Sequence, residues 1–505
     1  MADNMPTEPI LQHEHDLPDI PPEHSSRRHC LKEHVGGSEN ATPAETDGES
    51  DVDDDPEHAR QLALETSLRH AERQLEAKPP MDVVEMRHEA HPTGATVATV
   101  IAVALLVTAT FGFIIGTAEL KRYYLANNVA GGDYKKIAWI PTVQVALALC
   151  AAPVFTWVKH PAVAVIPGTV AAFGALIGLA FCTEYYQFLL AHILFGLGAS
   201  VWLPAILAVT ATHSSAPSPW YHGFPIALGG GTGALIYPVI LHKLFAHFSF
   251  RTTILITAGI TAGLMLPSWI LIWSPRRFQH YTLSPPWSDA GYAFLVLGTA
   301  VFMINIFSPI FYAPVLTMAD RISKGVEDYA VVIIGGGLLV GALAARGITF
   351  LLPWTWAIFV CSGFATSMVA FAFWTGAKGT GAMVVGLLFY GITTGVWASS
   401  LSGVVRLISP PEELGTRLAL LAAVGGLAGL AGPPVCAVLI KVHDKDEFLY
   451  AGVYMGLSFL VGSMLLVLPQ IAGSWARQGE RDHGSDCSSL DSSLTDLEAR
   501  AETVT

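Results

Sequence analysis

Charge is what this 505-residue chain most lacks: 14% of its residues are Asp, Glu, Lys or Arg, against roughly a quarter in a soluble domain. The shortage is local. Residues 95–473 hold 12 acidic and 17 basic residues over 379 positions. That is too few to cover a water-facing surface, and the 52% hydrophobic content points to contact with lipid. The net charge of −13 belongs to the ends, since residues 1–94 hold 22 acids and 8 bases and residues 474–505 hold 7 and 3. Acidic ends exclude a nucleic-acid partner held through its phosphates.

Other absences narrow the chemistry. Six cysteines lie at 30, 150, 182, 361, 436 and 487 without paired spacing, so neither a disulfide framework nor a zinc site is expected. No Gly-x-x-x-x-Gly-Lys loop, nucleophile elbow or histidine box occurs, which argues against an enzyme and against any metal or cofactor. No basic stretch precedes an apolar one at the start, so no secretory signal is expected. Carboxylates are missing from the apolar stretches: Glu119 falls at the end of the first, and Glu184 falls between the third and fourth.

What is present is a succession of apolar runs. A spanning helix needs about 20 mainly apolar residues. That length, read against polar breaks, gives twelve spans: 95–117, 137–158, 162–182, 186–210, 221–243, 252–273, 290–313, 329–350, 354–375, 380–404, 416–440 and 448–470. The flanking segments 1–94 and 473–505 read as disordered acidic tails, apart from a short amphipathic pattern at 56–78. Twelve spans put both tails on one side, and a long acidic tail without a signal argues that this side is the cytosol. Loop charges do not decide it: with flanks included, 10 basic residues fall on the tail side and 11 on the other.

The halves repeat. Val201-Trp202 recurs as Val396-Trp397, and Gly230-Gly231 and Pro238 recur as Gly425-Gly426 and Pro433, all at an offset of 195. Spans 4–5 thus match spans 10–11, the pattern of a duplicated six-helix unit. Small residues at 227–238 and 424–434 let helix backbones approach closely, and the prolines permit bends.

Polar residues inside apolar spans are costly and face a cavity or a partner. Gln144, His192, Asn305 and Arg346 stand out. Arg346 is the one charge between Ala330 and Trp374; it either attracts an anion or snorkels to the interface. His192 suits proton relay or hydrogen-bonded packing. Asn305 and Tyr312 bracket Pro309, where backbone opens toward a substrate. Tyr237, Tyr390 and Trp397 either line the same cavity or pack as ordinary aromatics.

Several stretches resemble a known family. Lys136-Ile-Ala-Trp-Ile-Pro-Thr-Val-Gln144, Gly229-Gly-Gly-Thr-Gly-Ala-Leu-Ile-Tyr-Pro238 with Ser249-Phe-Arg251, and Pro411-Glu-Glu-Leu-Gly-Thr-Arg417 with Gly432-Pro-Pro434 are similar to the monocarboxylate-porter branch of the major facilitator superfamily, in its fungal form. The resemblance covers about 95–473. Departures are visible: the branch's Gly-Arg in span 8 reads Gly341-Ala342, with Arg346 one turn later, and the superfamily's Asp-Arg loop after span 2 reads Trp157-Val-Lys-His-Pro.

The expectation is an all-α membrane protein of twelve transmembrane helices in two pseudo-symmetric six-helix bundles, 95–275 and 290–472, joined by a cytosolic loop at 276–289. The resemblance implies alternating access, cytosolic termini and a small organic substrate such as a monocarboxylate, carried with or without a proton across the plasma membrane. Efflux of a secondary metabolite or toxin is the alternative on the same fold. A non-transporting sensor is the alternative from another class.

Overall fold

The computed structural model describes residues 94–151, 153–154, 161–202, 205, 220–272, 289–319, 323–352, 354–376, 379–410, 413–440 and 448–470. The tails, the pattern at 56–78 and the central loop up to 288 lie outside them. Among the described residues, six helices precede that loop: α1 Gly94–Ala126, α2 Tyr134–Cys150, α3 Pro161–Leu179, α4 Tyr185–Ala199, α5 Trp220–His247 and α6 Phe250–Ile272. Eight follow: α7 Ala290–Met303, α8 Ser308–Ala319, α9 Lys324–Leu351, α10 Thr355–Gly376, α11 Thr380–Leu407, α12 Leu414–Gly429, α13 Gly432–Leu439 and α14 Phe448–Leu465. Among the described residues nine segments are long and apolar enough to cross a membrane, and Val165–Leu179 and Tyr185–Ala199 are shorter apolar helices. Two of the nine, Ala290–Met318 and Leu414–Leu439, each contain a break, so α7 with α8 and α12 with α13 make single spans.

α1 shows how the sequence sets a boundary. It has 33 residues, roughly 50 Å of helix, and runs past the first charges to Ala126. It stops at Asn128, whose φ of 53° is left-handed, and Gly131 and Gly132 continue the turn at φ 68° and 73°. Asp133 then caps α2 by accepting from the Lys135 amide at 3.0 Å. Lys121 and Arg122, expected in a loop, therefore sit inside α1. The start of α1 marks what we call the near face of the molecule, and its end marks the far face.

The helices of each half pack chiefly among themselves: α1 on α5 and α6, α3 on α4 and α6, then α9 on α11, and α10 on α11 and α14. The halves meet along a seam formed by α1, α2 and α5 on one side and α8, α9, α11, α12 and α13 on the other. The repeated glycines lie on that seam. A β-carbon on Gly231 would sit 2.7 Å from the Leu339 amide nitrogen of α9, and one on Gly426 would sit 2.7 Å from Cβ of Leu149 on α2. The offset of 195 in sequence thus becomes two equivalent close approaches, α5 on α9 and α12 on α2.

Gly230, beside Gly231, has no atom within 4 Å of its would-be β-carbon. Gly231→Ala therefore overpacks the seam and costs about 1–3 kcal/mol, while Gly230→Ala leaves stability unchanged or raised. Thermal melting of the two variants in detergent checks the contrast.

Candidate functional site

The span 290–318 breaks between Met303 and Ser308, and the span 414–439 breaks at Leu430–Ala431. The two breaks touch: Gly432 lies against the carbonyl of Ile304, where no side chain fits. Helix breaks in lipid leave carbonyls that must find donors. Here a tyrosine supplies one: Tyr390 on α11 donates to the Ile306 carbonyl, inside the first break, at 2.6 Å. Tyr312 on α8 donates to the Pro433 carbonyl, in the first turn of α13, at 2.5 Å. Asn305 sits inside the first break, donating to Ser458 at 3.0 Å and accepting from Ser308 at 2.9 Å. Three expected site residues thus meet around paired breaks.

The others fall elsewhere. Gln144 and His192 join each other inside the first half. Gln144 Oε1 can only accept, so His192 Nδ1 donates to it at 2.7 Å and Nε2 accepts from the Tyr124 hydroxyl at 3.0 Å. Thr117 adds a contact to the same Gln144 oxygen at 3.1 Å. The amide nitrogen of Gln144 is buried without a hydrogen-bond partner. Tyr237 bonds Thr261 at 2.8 Å and packs against Gly112. Trp397 lies between Phe302 and Phe359, with ring centroids 4.2 and 5.1 Å away, in the interior of the second half. Arg346 is half-buried, five residues before the near-face end of α9.

The structure adds a residue that the sequence reading passed over. Lys121 is 2% exposed. Its ammonium lies 3.8 Å from the ring centre of Tyr312 and 4.4 Å from that of Tyr134, and donates to the Tyr134 hydroxyl at 3.2 Å. Tyr312 belongs to the second half and Tyr134 to the first, so this lysine stands on the seam. Among the described residues no carboxylate pairs with it. Rings offer a cation their negative faces, which holds the ammonium and leaves its charge available to an anion. The signal for Lys121 was the stop sequence Asn127-Asn128 with Gly131-Gly132: ending α1 there rather than at its first charge puts Lys121 in the helix.

At the near face, Arg417 of α12 bonds Glu413 at 2.9 Å, Asp289 at 3.0 Å and the Ile408 carbonyl at 2.9 Å. The charged stretch that leads into α12 is therefore a clamp inside the second half.

Long apolar helices, two groups meeting along a glycine-lined seam, and a buried lysine on that seam define a polytopic membrane transporter. A family model described as Major Facilitator Superfamily matches residues 94–433, and the chain belongs to that superfamily. The "MFS transporter asaE" of Aspergillus flavus is 23% identical over 77% of this chain and 90% of its own length. The "Fujikurins efflux protein" of Gibberella fujikuroi is 22% identical over 83% and 93%. The "Aspyridones efflux protein apdF" of Emericella nidulans is 25% identical over 75% and 78%. Among solved structures, the nucleoside transporter NupG gives a TM-score of 0.57 at 14% identity, covering 74% of this chain and 100% of that one. The human organic anion transporter MFSD10 gives 0.53 at 15%, covering 77% and 100%.

Removing the Tyr390 hydroxyl leaves the buried Ile306 carbonyl unpaired. Tyr390→Phe should cost about 1–3 kcal/mol, read as a lowered melting temperature in detergent. Tyr123→Phe, whose hydroxyl takes part in none of these bonds, serves as the control without a shift.

Proposed function

We propose that this chain exports an organic molecule bearing an anionic or strongly accepting oxygen, by alternating access between two six-helix bundles. The observation that carries this is Lys121, a buried ammonium on the seam, held by rings rather than by a carboxylate. Such a charge is costly in lipid unless a ligand uses it. The direction is supported by the relatives named as efflux proteins. Arg346, toward the near-face end of α9 on the opposite side of the seam, is a second cationic station along the path. Asn305, Tyr312 and Tyr390 hold the broken helices beside it, while Gln144, His192, Tyr237 and Trp397 shape the walls of the two halves.

In this reading the bundles are 95–275 and 290–472, the spans number twelve, and the near face is cytosolic with both acidic tails and the loop 276–289. The membrane is the plasma membrane. A second reading, uptake of a small monocarboxylate with a proton, is supported by the porter-like stretch 136–144. Vesicles of opposite orientation, loaded with an organic-acid panel and with extracts of acidic metabolites, separate the two by the direction of flux.

Lys121→Met should raise KM for the cargo by about 10- to 100-fold, the value of one charged hydrogen bond, with surface level retained. Lys121→Arg should recover part of it. An unaltered KM in Lys121→Met sinks the anchoring role.

A further inference from the structure

Five charged or titratable side chains close the far end of the seam. Arg122, at the end of α1, reaches Glu119 at 3.6 Å on its own helix and Glu327 at 3.3 Å and Asp328 at 3.2 Å on α9. His242 of α5 approaches Glu119 at 3.7 Å and Asp328 at 3.9 Å. Glu119 and His242 belong to the first half, and Glu327 and Asp328 belong to the second. Glu119 is 5% exposed and Asp328 14%. One guanidinium therefore serves three carboxylates. With His242 neutral the group carries two surplus negative charges, and with His242 protonated it carries one.

Among the described residues, the surrounding charges do not cancel the surplus. On α1 the remaining cation is Lys121, turned to the rings of Tyr134 and Tyr312. Lys243 and His247 on α5 and Lys324 on α9 are exposed to solvent. On α6, Arg251 is exposed and covers the Phe181 ring. On α2 and the turn before it, Asp133 pairs with Lys136, and Lys135 is exposed. From α8, Tyr312 faces Lys121 rather than this group.

The acidic pair also sits on a turn set off by a kink. α9 loses helical geometry at Tyr329, with φ −116° and ψ 16°, one residue after Asp328. The His242 ring lies 5.6 Å from the Tyr329 ring. The turn Lys324–Asp328 is thus set apart from the rest of α9 and held to the first half by this charge group.

We propose that Glu119, Arg122, His242, Glu327 and Asp328 form a proton-dependent latch whose closure across the seam is coupled to proton uptake. Closing brings three carboxylates and a histidine into one poorly solvated site, where surplus negative charge is relieved by bound protons. Opening separates them into water, and the protons leave. The closed state binds more protons than the open state, so a fall in pH on the far face favours closure and a rise favours opening. This deepens the export reading and rests on it for its use, because far-face opening is the step that releases cargo. Its test needs no cargo.

Spin-labelled non-natural residues at exposed positions 127 and 380, one in each half, report the far-face gap by distance measurement on the full chain in nanodiscs. Between about pH 5.5 and 8 the long-distance population should grow, by up to about tenfold per pH unit for each proton released. In Glu119→Gln with His242→Gln the profile should flatten. In Glu327→Gln, whose side chain is more exposed and which serves if the double variant does not fold, the slope should fall. A flat profile in the unmodified chain, or one unchanged in these variants, overturns the latch. Absent cargo flux with the distance change intact would count against the export reading alone.

Discussion

A carbonyl without a donor is the constraint on which this structure turns. Two spans are broken, and hydrocarbon offers nothing to the freed backbone groups. The Tyr390 hydroxyl reaches across from α11 to the Ile306 carbonyl inside the first break, and the Tyr312 hydroxyl reaches the Pro433 carbonyl where the chain resumes as α13. Because each tyrosine bonds a carbonyl of another span, α7 with α8, α11, and α12 with α13 are fixed relative to one another. Asn305 and Ser458 tie in α14. The second half is a polar-stapled unit in which the two unwound turns lie against each other. That arrangement leaves Tyr312 placed to meet Lys121 from the first half.

The seam follows a different logic. No side chain separates α5 from α9 at Gly231 and Leu339, or α9 from α5 at Gly335 and Ala234. Contacts of this kind involve little interdigitation, so one helix can slide or tilt over the other without unlocking large side chains. Among the described residues, the ion pairs gather at the ends: Arg417 with Asp289 and Glu413 at the near face within one half, and Arg122 with Glu327 and Asp328 at the far face between halves. A smooth middle with a charged far end suits two bodies that rock about a seam.

Much of this was legible in the residues. The apolar runs located a helix within every expected span, the offset of 195 marked the glycine pairs that prove to be seam contacts, and Pro309 with Asn305 marked a real break. The boundary of α1 was misread because charge was taken as a loop signal. Glu119, Lys121 and Arg122 are tolerated in a helix because partners on α2, α5, α8 and α9 meet them there. Those partners lie about 10 to 200 positions away in sequence, and no local pattern announces them. His192 and Trp397 were polar or aromatic enough to suggest either a cavity or packing; the fold gives His192 hydrogen bonds to Gln144 and Tyr124 and gives Trp397 a stack of rings.

The sequence by itself determined the medium, the helices and the duplication, because these follow from residue types and their spacing along one chain. Tertiary structure alone decided which charges are buried, which carbonyls lack donors and which residues of the two halves touch. Those properties depend on distances between helices, and a local pattern carries no record of them. Lys121 and Arg122 are adjacent in sequence, yet one is clasped by aromatic rings and the other by acids of the opposite half.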